Sequence, residues 1–220
     1  MQIFGINSHP DKGVCEFYDC HVPRLATEAC ELLYGRAHLE HQPWLSDQVP
    51  GPDGEYLYTW KAISKGHAKH PCFLWVCANR KHAWWALQHA LSICREYTQR
   101  YGKKTITEYH LEFILKHTQP PPEEPNDKYS IEDFEVFLTH VYPTNPEKVV
   151  ELMGKTCTKN PPEGCAFGIL ACNAEFEVVA CDGQRDWVAS YRNYYASKKD
   201  SFKLPHVHCK RKRQVYEFEK

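Results

Sequence analysis

Hydrophobic positions recur with helical spacing in several blocks of the chain. In the first block, 21–38, apolar residues repeat at intervals of three and four, which predicts an amphipathic helix with one buried face. Pro23 falls in its first turn, where the N–H that proline lacks has no helical partner. The residues of the predicted buried face are Val22, Leu25, Ala26, Ala29, Leu32 and Leu33.

The block 70–104 carries the longest helical pattern. Pro71 can begin a short helix there, and Asn79 can cap a longer one that follows it. The residues predicted to face the core from this longer helix are Ala83, Trp84, Leu87, Ala90, Leu91, Cys94, Tyr97 and Tyr101.

Helix-capping residues predict where the remaining helices begin and end. Gly102 suits the left-handed position that follows a helix, and Thr105 with Glu108 predicts a capped helix that reaches about His117. Near the end of the chain, Asp186 can cap a last helix, 187–199.

The stretches between these helices divide the chain. Residues 40–66 are rich in proline and glycine and are predicted to be a loop, whereas three consecutive prolines and an acidic run after residue 119 mark the start of an insertion. We therefore expect a helical core, 1–119, an insertion, 120–165, and a segment, 166–220, in which a β-hairpin, the last helix and a basic tail pack on the core. The predicted fold class is mainly α (α+β), a compact helical bundle with an inserted subdomain and a small β-hairpin.

Composition narrows the class of protein. The 220 residues are 42% hydrophobic and 13% aromatic, which is enough to bury a core. The net charge of −1 points to no particular partner, and no run of about 18 apolar residues predicts a membrane span. The first residues lack the basic start and apolar core of a signal peptide, so we expect an intracellular protein without membrane contact.

The cysteines are numerous but do not form a recognisable framework. Their number, eleven, is odd, and no C-x-x-C occurs, which argues against a disulfide scaffold. Cys30, Cys77 and Cys94 lie among apolar helix residues and are predicted to be buried. Two clusters could form zinc corners, but neither has zinc-finger spacing, and no metal or cofactor is predicted. These clusters are His67, His70 and Cys72, and His206, His208 and Cys209.

Five polar residues form a stripe along the first helix: His21, Arg24, Glu28, Glu31 and His38. Residues seven apart lie nearly in line on an α-helix, and residues three or four apart are neighbours, so Arg24 can pair with Glu28 and relieve its repulsion with Glu31. Two interpretations stay open. The stripe is either a solvated face with a weak ion pair or a surface with a functional role.

Three segments, 19–38, 70–104 and 186–199, resemble a known family through their pattern of helices and spaced polar residues. They cover about a third of the chain and read "DCHVPRLATEACELLYGRAH", "HPCFLWVCANRKHAWWALQHALSICREYTQRYGKK" and "DWVASYRNYYASKK". They are similar to the pyrimidine-dimer DNA glycosylases of the phage endonuclease V type. The likeness is greater to uncharacterised phage and large-virus proteins that are distant relatives of that family.

The resemblance implies a compact helical fold and a catalytic site on the first long helix. In that family the N-terminal amine attacks C1′ of a damaged nucleotide, and a glutamate supports the reaction. The matching residues here are Met1, Glu28 and His21, with Arg24 beside the carboxylate. An α-amine has a pKa near 7.7–8.0, so part of it is unprotonated at pH 7. The bulky Gln2 departs from the family pattern, in which methionine is removed before a small residue.

Rings and cations near the C-terminus predict contact with DNA, because cations bind phosphates and rings stack on exposed bases. These residues are Arg192, Tyr194, Lys198, Lys199, Lys210, Arg211, Lys212 and Arg213. Tyr191 and Tyr195, one turn apart, are expected in the core instead. The expected partner is duplex DNA with an altered base.

The function that the resemblance implies is a DNA glycosylase with possible AP-lyase activity. Two other classes remain open. One is a non-enzymatic nucleic-acid-binding or structural viral protein that keeps the fold, and the other is an enzyme of modified pyrimidine nucleotides.

Overall fold

A computed structural model describes residues 9–63, 67–78, 80–120, 178–179 and 185–197. This part of the chain is mainly helical. Its helices are α1 (Val22–Leu39), α2 (Pro71–Ala78), α3 (Arg80–Tyr101), α4 (Ile106–His117) and α5 (Trp187–Ser197). Two small antiparallel pairs accompany them, β1 (Gln48–Pro50) with β2 (Tyr56–Tyr58) and β3 (Val178–Val179) with β4 (Arg185–Asp186).

Helix α1 packs most extensively on α3, and α2 and α4 lie against the same pair. All six residues predicted for the buried face of α1 are buried, as predicted, because their spacing keeps them on one side of the helix. Cys30, Cys77 and Cys94 are buried with them, each at 0% exposure. These thiols fill space in the core.

Helix α3 is buried on two sides, which its sequence pattern did not predict. Of the predicted core face, Ala83, Leu87, Ala90, Leu91 and Cys94 are buried, whereas Trp84, Tyr97 and Tyr101 are half-buried. The opposite side is also covered, and its buried residues include His82, Trp85, His89, Ser92, Glu96 and Arg100. Several of these residues are polar, so a pattern of hydrophobic positions does not identify this side as buried.

The buried charge of Arg100 connects α3 to the turn that precedes α1. Its guanidinium donates to Glu96 Oε1 at 2.6 Å, to Asp19 Oδ1 at 2.8 Å and to the carbonyl of Phe17 at 2.7 Å. A further bond reaches the carbonyl of Cys15 at 2.9 Å. The planar guanidinium of arginine can donate to several acceptors at once, so Arg100 fixes the position of the chain that leads into α1.

The predicted helix ends are largely confirmed. Gly102 has φ 70, as a left-handed residue after α3 requires. The Thr105 side chain accepts from Glu108 N at 3.1 Å, while the Glu108 carboxylate accepts from Thr98 Oγ1 at 3.3 Å. Asp186 Oδ1 accepts from Ala189 N at 2.9 Å and so caps α5. Asn79, the predicted cap of α3, lies outside the described residues.

Part of the predicted loop 40–66 is a β-hairpin. The pair β1–β2 aligns Val49 with Leu57 on the side that faces the core, and Val49 is fully buried. The turn between the strands contains Asp53 and Gly54, with φ of 56 and 80. The sequence predicted a loop because proline and glycine are frequent in and around these two strands. Each strand has only three residues and is stabilised by packing on the core.

The C-terminal segment packs on the core through α5. Tyr191 and Tyr195 are 1% and 0% exposed, which confirms their predicted packing role. In the segment 166–220, where a β-hairpin is predicted, the described strands are β3 and β4, which pair with each other. The insertion predicted over 120–165 lies outside the described residues except for Pro120. No described helix is long and apolar enough to cross a membrane.

Candidate functional site

Glu28 has a shielded carboxylate, although its neighbour Arg24 is exposed. Arg24 Nε donates to Glu28 Oε1 at 2.7 Å, and the two side chains are 74% and 13% exposed in that order. The hydrogen bond and charge of Glu28 raise the pKa of Arg24, so the guanidinium stays positive. On a fully solvated face both side chains would be exposed. Instead, the Glu28 carboxylate is largely shielded from solvent, and the exposed guanidinium of Arg24 lies next to it.

Helix α2 closely approaches the side of α1 on which Glu28 and Gly35 lie. Gly35 lies seven residues after Glu28 and therefore nearly in line with it. A Cβ on Gly35 would lie 2.7 Å from Phe73 Cε2 and 3.1 Å from Ile63 Cβ. Only a residue without a side chain allows this contact. The C-terminal part of the line is thus a helix–helix contact rather than a solvated face.

His70, at the entry to α2, shares the electrostatic surroundings of Glu28. Burial lowers the pKa of His70, and the Glu28 carboxylate opposes that shift. Cys72 N donates to His70 Nδ1 at 3.2 Å, so the neutral ring carries its proton on Nε2. From the sequence, His70 is a candidate only as a zinc ligand, because nothing in the sequence brings two separate helices together.

His21 is held at the start of α1 by the C-terminal helix. Tyr195 Oη lies 2.9 Å from His21 Nδ1 and accepts from Tyr18 N at 2.7 Å. The rings of Tyr18 and Tyr195 stack with centroids 4.9 Å apart. His21 and Glu28 are about 10.5 Å apart along the axis, so the two predicted catalytic residues have different immediate partners.

The far end of the stripe has another role. His38 Nε2 donates to the carbonyl of Trp60 at 2.9 Å, and Glu31 is half-buried. The five polar residues therefore do not form one continuous surface. The structure groups Arg24 and Glu28 near His70, joins His21 to α5, and ties His38 to the chain after β2.

The residues predicted to bind nucleic acid are only partly described. Arg192 is 40% exposed at its side chain and donates to Glu16 Oε1 at 3.2 Å. Tyr194 is 8% exposed, so its ring packs in the core and offers no open face for a stacked base. Its burial was missed because three tyrosines share five positions and only the fold shows which point inward. Lys198, Lys199, Lys210, Arg211, Lys212 and Arg213 lie outside the described residues, as does Met1.

No group of three histidine, cysteine or acidic side chains capable of holding a metal occurs within the described ranges. That search includes the corner formed by His67, His70 and Cys72. The second corner, formed by His206, His208 and Cys209, lies outside the described residues.

A groove of about 490 Å³ opens at the other end of α1, between α3 and α4. Leu33, Leu87 and Ile114 contribute apolar surface to it, and Arg36 and Arg80 contribute cations. Its lining residues on α1 lie about 7.5–18 Å along the helix from Glu28, at 1.5 Å per residue, and the groove is a separate feature.

No protein-family model, curated protein or solved structure matches the chain. The likeness to the pyrimidine-dimer glycosylases therefore rests on the three sequence segments alone.

Proposed function

We propose that the protein is a DNA-binding enzyme that acts on an altered base, a DNA glycosylase in which Glu28 supplies the catalytic carboxylate. The observation that carries the proposal is the sheltered position of Glu28, 13% exposed and held by Arg24. Because water is partly excluded there, a carboxylate stabilises a developing positive charge more strongly than it would in bulk solvent. The family resemblance supplies the reaction class.

The proposed reaction breaks the bond between sugar C1′ and the base. As that bond lengthens, its electrons move to the base and positive charge develops on the sugar, where the Glu28 carboxylate stabilises it. An amine that attacks C1′, as in the similar family, would give an imine after the sugar ring opens. Met1 would supply that amine, and its placement is part of the proposal.

The surroundings of Glu28 suit a nucleotide substrate. Arg24 presents an exposed cation next to the carboxylate, where it can contact a phosphate of the bound strand. His70 is held as a neutral imidazole with its donor on Nε2, so it can donate a hydrogen bond to an acceptor atom of a base. A carboxylate, a cation and a neutral donor are groups that such a reaction can use.

The test is Glu28→Gln, which keeps the shape of the side chain and removes its charge. Base release from DNA that contains pyrimidine dimers or modified pyrimidines, and strand cleavage at abasic sites, should fall by about 10²–10⁴-fold, as expected for loss of a positioned acid–base group. Thermal unfolding should change little. The matched control is Glu31→Gln, the same substitution one turn further along α1, and it should keep most of the activity.

Borohydride trapping tests the proposed amine. The unmodified protein should form a covalent complex with the substrate DNA, and mass spectrometry should locate it at the N-terminus. Absence of both turnover and adduct across the whole substrate panel would overturn the proposal. Binding to DNA without turnover would instead indicate a non-enzymatic nucleic-acid-binding protein.

A further inference from the structure

The outer face of the β1–β2 hairpin carries two exposed tyrosines. Tyr56 and Tyr58 are 64% and 84% exposed, while Leu57 between them points toward the core side with Val49. Residues two apart on a strand share a face and lie about 6.6–7 Å apart, so the two rings are neighbours. Pro50 lies across from Tyr56, and Gln48 lies across from Tyr58. We call these four residues the tyrosine face.

These rings stand out from the rest of the described surface. Four large hydrophobic residues are exposed there, and the other two, Ile106 and Val179, belong to separate elements. Isolated exposed side chains are ordinary, but adjacent exposed aromatic rings are typical of interaction sites. Tyrosine is enriched at protein interfaces because it combines a large ring with a polar end.

The charged side chains of the hairpin and of the residue before it are negative. Asp47, Asp53 and Glu55 are exposed beside the tyrosine face, and none forms an ion pair with a described residue. Residues 37–60 contain four acidic residues and no lysine or arginine, and the next base along the chain is Lys61. This acidic rim repels phosphates, which separates the tyrosine face from any site for DNA.

The turn that carries the rim has a defined shape. Gly51 N donates to the carbonyl of Glu55 at 2.8 Å, and Glu55 N donates to the carbonyl of Pro52 at 3.0 Å. A Cβ on Gly51 would lie 3.0 Å from the Leu57 side chain, so the turn fits closely over the strand. A surface already held in shape loses less entropy when a ligand binds.

We infer that the tyrosine face binds a segment of a partner protein that is rich in arginine and lysine. The cationic side chains lie over the two rings, within about 6 Å of the ring centres, and pair with the carboxylates of the rim. Arginine fits best because its planar guanidinium both stacks on rings and bonds carboxylates in pairs. This inference does not depend on the proposed glycosylase activity.

The experiment uses the full chain and a synthetic nine-residue peptide of alternating arginine and glycine, with binding followed by calorimetry. The peptide should bind, and replacement of its arginines by glutamine should abolish binding. Tyr56→Ser with Tyr58→Ser should weaken binding at least tenfold, and Asp53→Asn with Glu55→Gln should do the same. Tyr56→Phe with Tyr58→Phe should keep binding within about threefold, because the rings remain.

The matched control is Ile106→Ser with Asp11→Asn, which changes one exposed apolar and one exposed acidic residue elsewhere, and it should bind like the parent protein. Equal binding by the serine variant and the parent protein would overturn the inference, as would failure of the parent protein to bind the peptide at millimolar concentration. Self-association that disappears when Lys210, Arg211, Lys212 and Arg213 become alanine would also overturn it, because the occupant would then be a second copy.

Discussion

Two arginine–glutamate pairs on α1 have the same spacing and opposite arrangements. Arg24 and Glu28 meet at 2.7 Å with the arginine 74% and the glutamate 13% exposed. Arg36 and Glu40, about 18 Å further along at 1.5 Å per residue, meet at 2.8 Å with the arginine 6% and the glutamate 20% exposed. The first pair shelters an anion behind an exposed cation, and the second buries the cation.

The difference follows from what each charge contacts besides its partner. Arg36 Nη1 donates to the carbonyl of Val76 at 2.7 Å, within the last turn of α2. Carbonyls at the end of a helix lack helical partners and carry partial negative charge, so a buried arginine there is a structural cap. Arg24 projects into solvent and has no comparable structural duty. Identical spacing in sequence can therefore serve the fold at one end of a helix and leave the other end available for chemistry.

The largest effect should follow Arg36→Ala. The substitution removes a buried cation, leaves the Val76 carbonyl without its donor and opens space in the core, so we expect a loss of about 2–4 kcal/mol in the free energy of unfolding. Urea unfolding followed by circular dichroism measures it. The free energy of unfolding of Arg36→Lys should lie between those of the parent protein and Arg36→Ala, because lysine keeps the charge and lacks the planar guanidinium. A loss below about 0.5 kcal/mol would show that the two pairs are equivalent.

The stability of the fold near Arg36 should also decrease at low pH, because His82 is buried there. Its Nδ1 donates to the carbonyl of Trp75 at 2.8 Å, and burial, with Arg36 adding to it, lowers the pKa of His82 from 6.5 to about 4. As the pH falls below 6.5, the unfolded chain binds a proton that the folded chain excludes. The contribution of His82 to the free energy of unfolding is therefore fully present above pH 6.5. It decreases toward pH 4, by up to about 1.4 kcal/mol per pH unit.

Unfolding measured between pH 4 and 7 tests this effect. His82→Asn keeps a donor near the Trp75 carbonyl and removes the titration, so it should reduce the pH slope by about one proton. His41→Asn is the control, since His41 is exposed and has φ 50, a conformation that asparagine tolerates. An unchanged slope in His82→Asn would contradict the assignment. His89 and His110, whose pKa values burial also lowers to about 4, should leave a residual slope in every variant.

Much of the fold was predictable because it depends on local chemistry. The buried face of α1, the cap by Asp186 and the left-handed Gly102 each follow from residues close together in sequence. The second buried side of α3 was not predictable, since His82, Glu96 and Arg100 are polar and the bonds of Arg100 to Phe17 and Asp19 join residues more than 80 positions apart. The hairpin was missed for a similar reason, because strands of three residues depend on the core beneath them.

The candidate site was predictable only in part. The spacing of Arg24 and Glu28 predicted their ion pair, which the structure confirms. It did not show which member would be sheltered, because that depends on tertiary packing around the helix. The nearness of His70 and the burial of Tyr194 likewise depend on how distant helices pack. A stripe on one helix identifies candidates, and the neighbouring helices decide among them.

The smallest effect should follow Arg24→Ala, and it completes the comparison. An exposed i,i+4 pair contributes only a few tenths of a kcal/mol, because water and salt screen it, so we expect a loss within about 0.5 kcal/mol. High salt should reduce even that difference. Urea unfolding at low and high salt, beside the Arg36→Ala measurement, provides the test. A loss of 2 kcal/mol or more at both salt concentrations would show that Arg24 also holds the fold, and the N-terminal end of α1 would then lose its distinction as the end free for chemistry.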